Sequence, residues 1–157
     1  MMKKRLFIQA AAVLAAGAGT TFGLPVFAQT RPLVEVWKDP DCGCCGDWVS
    51  HMQASGFQVQ VHDTGNAAAR KRLGVPEQMG SCHTALVAGY ALEGHVPGRE
   101  VHRLLKERPR AIGLAVPGMP VGSPGMDGPA YNGRKDRYDV VLLLPGAKSR
   151  VYQSYPA

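Results

Sequence analysis

Strand-like and helix-like segments alternate along this chain, which predicts an α/β fold in the order βαβαββα. Three observations carry it. Residues 33–38 alternate apolar and polar side chains until Asp39-Pro40-Asp41 breaks the run, a helical stretch follows from within a cluster of cysteines, and alternation returns at residues 57–63. Strands joined by a helix pack as right-handed crossovers, so the first two strands should be parallel.

The first helix is expected from about Cys44 to Ala54, closed by Ser55-Gly56. Cys45, Trp48, Val49 and Met52 share one of its faces, and Trp48, Val49 and Met52 are the expected core residues. Residues 64–73 read as a second helix ended by Gly74, after which Val75-Pro76 opens a loop carrying Met79 and Cys82. A hairpin of residues 84–88 and 90–93 turns about Gly89 and adds antiparallel pairing, and a third helix over residues 98–107 stops before Pro109. Residues 113–133 are so dense in Gly and Pro that they predict a long ordered loop rather than regular structure. Residues 139–144 and 150–152 then supply an additional C-terminal strand or hairpin.

The N-terminus reads as a targeting segment. Met1-Met2-Lys3-Lys4-Arg5 precedes an apolar, Ala-rich stretch and then Val26-Phe27-Ala28, a small-x-small cleavage signal, so residues 1–28 are the expected signal peptide. The apolar run is too short for a confident membrane span, no twin arginine is present, and the first cysteine lies far beyond the cleavage site. The expectation is a soluble exported protein, periplasmic, with no stable membrane insertion after cleavage. Removing residues 1–28 from 157 leaves 129, enough for one domain at 29–157. Of the net charge of +6, Lys3, Lys4 and Arg5 supply three, and the remaining +3 is dispersed among acids, which argues against a nucleic-acid partner.

Cys42-Gly43-Cys44-Cys45, with Cys82-His83 further on, is the chemically informative feature. Packing does not need crowded thiols, whereas reactivity and soft-metal affinity do. Cys42 and Cys45 have the C-x-x-C spacing of dithiol redox sites, and Cys44 between them is an addition to that motif. A structural disulfide framework is disfavoured because local pairings within C-x-C-C should be strained. The cluster falls where the first strand hands over to the first helix, whose N-terminal dipole end favours thiolate. His51 reads first as a surface or partly buried residue of that helix, with a ligand role as the lesser alternative; His62 and His102 read as structural or surface residues.

Beyond the cysteines, Gly80-Ser81-Cys82-His83-Thr84-Ala85, Gly89-Tyr90-x-x-Glu93-Gly94-His95-Val96-Pro97 and the Gly/Pro-rich run of residues 116–126 occur in an order that resembles the CopG-like periplasmic copper-resistance proteins across nearly the whole mature chain. The resemblance implies a thioredoxin-like fold that holds copper through its cysteines. Thioredoxins place a cis-proline just before a Thr-containing strand; here Cys82-His83 precedes Thr84, and a thiol with an imidazole opens that position to metal.

Soft thiolates and thioethers favour Cu(I), so the candidate copper ligands are Cys42, Cys44, Cys45 and Cys82, with His83, His95, Met119 and Met126 as imidazole and thioether candidates. Each methionine has a rival role as core filler, and His95 a rival role in orienting the hairpin. The expected function is copper binding for copper resistance, with copper ions and other periplasmic copper-handling proteins as partners and a copper redox activity in reach of the dithiol. The rival from another class is a thiol-disulfide oxidoreductase with Cys42 as nucleophile and Cys45 as resolving thiol. A zinc-stabilised structural module trails both.

Overall fold

Val34 and Val36 are fully buried while Glu35 and Trp37 face the other side half-exposed, so the first alternating run is a strand, β1 (Leu33–Lys38). The computed structural model describes residues 31–157, and the expected signal peptide lies outside them. β1 leads into α1 (Gly43–Ala54), β2 (Gln58–His62) and α2 (Ala67–Arg72), then β3 (His83–Val87), β4 (Tyr90–Glu93) and α3 (Gly98–Glu107). Three more strands complete the chain, β5 (Gly113–Ala115), β6 (Tyr138–Leu144) and β7 (Lys148–Tyr155). The class is α/β, with seven strands in one mixed sheet of order β2-β1-β3-β4-β5-β6-β7.

Pairing follows from the connections. β1 and β2, joined by α1, run parallel, while β3 lies antiparallel to both β1 and β4 across a tight Ala88-Gly89 turn. α1 has two glycines and three β-branched or cysteine positions, a composition with little intrinsic helicity. Tertiary burial holds it. Cys45, Trp48 and Met52, spaced three and four apart, are buried against the sheet, with Val49 packed at the margin. Trp48 and Met52 join Phe57, Leu92, Val101, Leu104, Leu114 and Leu142 in the core. Each such side chain contributes about 1.5–3 kcal/mol on burial.

The Gly/Pro-rich stretch departs from expectation at both ends. Residues 113–115 form β5, parallel to β4 and antiparallel to β6, and residues 129–131 make a short 3₁₀ turn. β5 is three residues of Gly, Leu and Ala, all buried between neighbours, too short for a periodic signal. Its glycine is sterically required: a Cβ at Gly113 would sit 1.7 Å from the Ala91 carbonyl oxygen. The late segment is a full hairpin, β6 with β7, longer than residues 139–144 and 150–152.

Gly113→Ala should therefore force β5 away from β4 and cost at least about 3 kcal/mol, the upper end of overpacking penalties. Denaturant unfolding of the variant checks this, and a loss below about 1 kcal/mol would contradict the close approach.

Candidate metal centre

The chain turns from β1 into α1 around a buried ammonium. Lys38 Nζ pairs with Asp63 at 2.9 Å and donates to the carbonyls of Asp39 and Pro40, while the Cys42 N–H donates to the Asp39 carbonyl at 3.1 Å. α1, with Cys42 as its N-cap residue, has no side-chain cap and no acidic residue in its first turn, so the cysteines sit at its positive dipole end without a competing carboxylate of that turn. Cys42 and Cys45, the outer pair with C-x-x-C spacing, are joined in a disulfide. One helical turn with two intervening residues sets their Cα atoms 5.4 Å apart, well within disulfide range. Cys44 and Cys82 are free thiols, and Cys44 Sγ lies 3.7 Å from Cys42 Sγ.

Cys82 arrives from the other side of the site, on the irregular segment before β3. Glu93, fully buried at the end of β4, reaches that segment: its Oε1 accepts from the Ser81 N–H at 2.7 Å and from Arg70 Nε at 2.9 Å, and its Oε2 accepts from Thr84 Oγ1 at 2.6 Å. Arg70 Nη2 and Asn66 Nδ2 both donate to the Ser81 carbonyl. The Ser81 hydroxyl donates to the Gly118 carbonyl.

Two residues beyond Glu93, His95 is fully buried with Nδ1 bonded to the Pro124 carbonyl at 2.8 Å. A carbonyl only accepts, so Nδ1 carries the proton and Nε2 presents its lone pair. That Nε2 is 3.1 Å from Cys82 Sγ. Pro124 is held in place by Gly125, where a Cβ would stand 2.6 Å from the Cys44 carbonyl oxygen and 2.8 Å from the Trp48 nitrogen. The Gly/Pro-rich loop thus closes directly onto the start of α1.

His83 is fully buried, its ring 4.3 Å from Trp48 and 5.1 Å from His95, with Nδ1 3.5 Å from Cys82 Sγ and Nε2 without a hydrogen-bond partner. Desolvation, with the neighbouring His95, pushes its pKa down to about 3. Burial likewise lowers His95 and, with the Cys44 sulfur beside it, raises the Cys82 thiol to about 12. Two donor groups result: the sulfurs of Cys42, Cys44, Cys45 and Cys82 all within 4.8 Å of one another, and Cys82 with His83 and His95 within the same limit. They share Cys82.

The remaining candidates are placed otherwise. His51 faces α3, its Nε2 accepting from the Gly98 N–H at 3.0 Å. His62 stacks on Trp37 and His102 on Phe57. Met119 is 52 % exposed, beside Gly118, whose N–H donates to the Gly80 carbonyl. Met126 follows Gly125, and its sulfur accepts from the Tyr131 hydroxyl at 3.1 Å. Arg70, Asn66, Ser81 and Glu93 were not legible as site residues. Ser81 and Glu93 stood inside the motifs that carry the family resemblance, whereas Arg70 and Asn66 carried no signal.

Among solved structures, two named Copper resistance protein copG, forms 1 and 2, superpose with TM-scores of 0.75 and 0.74. Both are 44% identical to this chain, and the matches span 82% and 81% of it and 100% of theirs. The chain belongs to the CopG-like copper-resistance family. A family model described as "Protein of unknown function, DUF411" matches residues 79–126, the stretch from the Cys82 loop through His95 to Met126. No curated protein matches.

In this CopG-family chain, burial also lowers the His51 pKa, with Asp127 partly offsetting it. A histidine whose folded pKa is depressed stabilises fully above its unfolded value near 6.5 and loses that contribution as pH falls toward the folded value. Stability of the metal-free protein should thus decline as pH drops from 6.5 toward 5. His51→Asn should flatten that slope by up to about 1.4 kcal/mol per pH unit. Denaturant midpoints across pH 5–8 test it; an unchanged slope in the variant would place the proton elsewhere.

Proposed function

We propose that the mature chain, residues 29–157, is a single-domain periplasmic copper-binding protein that serves copper resistance by holding Cu(I) through Cys42, Cys44, Cys45 and Cys82. The observation that carries it is the convergence of four sulfurs within 4.8 Å from two separate segments. Thiolate crowding of this kind suits a soft, monovalent ion better than zinc, whose structural sites present two spaced chelating pairs. His95, its Nε2 freed by the Pro124 carbonyl, is the imidazole ligand, and the orphaned His83 Nε2 is a further donor. Met119 and Met126 complete the proposed set, each adjoining a glycine that contacts a cysteine-bearing segment.

We read the β2-β1-β3-β4 order, with β1 parallel to β2, as a thioredoxin-like core in which Cys82, just before β3, and His83, its first residue, stand where thioredoxins carry cis-proline. Every described peptide bond is trans. The Cys42–Cys45 bond also connects copper to redox chemistry, since forming it from two thiols releases two electrons and two protons, enough to reduce two Cu(II) to Cu(I). Among the described residues no helix is long and apolar enough to cross a membrane. Other periplasmic copper-handling proteins are the proposed partners.

One observation favours a second reading. Cys42 is half-exposed and Cys45 fully buried in a C-x-x-C disulfide at a helix start, the asymmetry of a nucleophile and a resolving thiol. A thiol-disulfide oxidoreductase would use that pair without needing Cys44 or Cys82.

Fully reduced protein should compete for Cu(I) against a chelator, and Cys44→Ser or Cys82→Ser should each weaken binding by about tenfold or more, ~1.4 kcal/mol. Protein with the Cys42–Cys45 bond intact should bind more weakly than the reduced form. No retained copper with all four thiols titratable sinks the copper reading, and robust insulin reduction unaffected by either variant establishes the oxidoreductase.

A further inference from the structure

Every cysteine on α1 is placed by the helix itself, but Cys82 belongs to no regular element, so something else must hold its sulfur against them. Both backbone polar groups of the preceding residue, Ser81, end on side chains of one buried network. Its N–H donates to Glu93 Oε1 at 2.7 Å, and its carbonyl accepts from Arg70 Nη2 and from Asn66 Nδ2 at 3.1 Å. Arg70 and Glu93 are themselves paired at 2.9 Å, with Glu93 fully buried and Arg70 side-chain exposure only 14%. Thr84, on the far side of Cys82 and His83, donates to the other Glu93 oxygen at 2.6 Å. Residues 81 and 84 are thus tied to the same carboxylate, with Cys82 between them.

We propose that Arg70 and Glu93 form a positioning pair for the metal centre, acting through the Ser81 peptide groups to fix Cys82 Sγ between the α1 cysteines and His95. The proposal rests on the copper reading above, which supplies the reason for fixing that sulfur. Guanidinium geometry is essential to it. Arg70 donates from Nε to Glu93 and from Nη2 to the Ser81 carbonyl, with Nη2 ion-paired to the same carboxylate at 2.9 Å, a fork that an ammonium cannot reproduce. The carboxylate spans the sheet in the same way. Glu93 ends β4, its carbonyl accepts from the Val116 N–H after β5, and two residues on comes His95, whose Nε2 faces Cys82 at 3.1 Å. Thiol and imidazole are therefore hung from one residue, and their separation is set by it.

The test uses the mature chain and a double-mutant cycle. Removing both charges together, Arg70→Met with Glu93→Gln, avoids stranding one buried ion. Cu(I) affinity is read by chelator competition in that variant, in Cys82→Ser, and in their combination. If the pair acts through Cys82, its loss weakens binding by about tenfold in the wild-type background and by less than about twofold when Cys82 is already serine. Equal losses in both backgrounds would show a merely structural role and overturn the proposal.

A second readout needs no copper. In metal-free protein with the Cys42–Cys45 bond intact, iodoacetamide labelling of Cys82 should accelerate several-fold in the pair variant while Cys44 labelling holds constant, as resolved by peptide mass spectrometry. Unchanged Cys82 labelling, or equal acceleration at both thiols, would overturn it. This arm stands if the wild type fails to bind copper, so the two failures are distinguishable. Should the double variant not fold, Arg70→Lys is read by the same labelling: acceleration at Cys82 alone supports the fork, and none refutes it.

Discussion

Glu93 is a carboxylate with no exposure to water, and such a group persists only when its lone pairs are matched. Here the matching partners are Arg70, the Ser81 N–H and the Thr84 hydroxyl, so the requirement to satisfy one buried charge draws α2, the segment before β3, and β4 into a single arrangement. Desolvation still pushes its pKa up, and the three hydrogen bonds, with the charge of Arg70, pull against that shift. Because β4 also sits between β3 and β5 in the sheet, the same residue couples the first half of the fold to the strands that follow.

Three segments far apart in the chain meet at the start of α1. The Cys82 loop approaches from β3, His95 from the end of β4, and Pro124-Gly125 from the Gly/Pro-rich loop, whose glycine comes close enough to α1 to exclude a side chain. The loop is therefore a wall of the site and part of its chemistry: its Pro124 carbonyl fixes the proton on His95 Nδ1 and leaves Nε2 bare toward sulfur. The low local dielectric that raises Cys82 toward a pKa of about 12 also holds His83 neutral, so the imidazole keeps a free lone pair and the Cys82 thiolate requires a compensating cation. A soft metal supplies one, with proton release from thiol on binding.

The Cys42–Cys45 bond sets two of the four sulfurs in a form that offers no thiolate. Oxidation state therefore governs which donors α1 presents, while Cys82, His83 and His95 form the donor group of the opposite wall. In the proposed function copper binding and dithiol chemistry draw on the same few atoms, and the sulfur shared by both donor groups, Cys82, is the one whose position depends on tertiary contacts.

Sequence by itself determined the α/β class, the placement of the cysteines at a strand-to-helix junction, the hairpin about Gly89 and the third helix over residues 98–107, because each is encoded by periodicity or punctuation over a few adjacent residues. It also singled out His95 and Cys82, whose residue types are chemically distinctive. It did not show β5, which is three residues long and is a strand only because β4 and β6 flank it. Nor did it show that His51 binds the α3 backbone, or that Arg70 reaches Glu93 across 23 positions of chain. Those depend on distances between residues remote in sequence, and only packing of the sheet, the helices and the loop sets such distances.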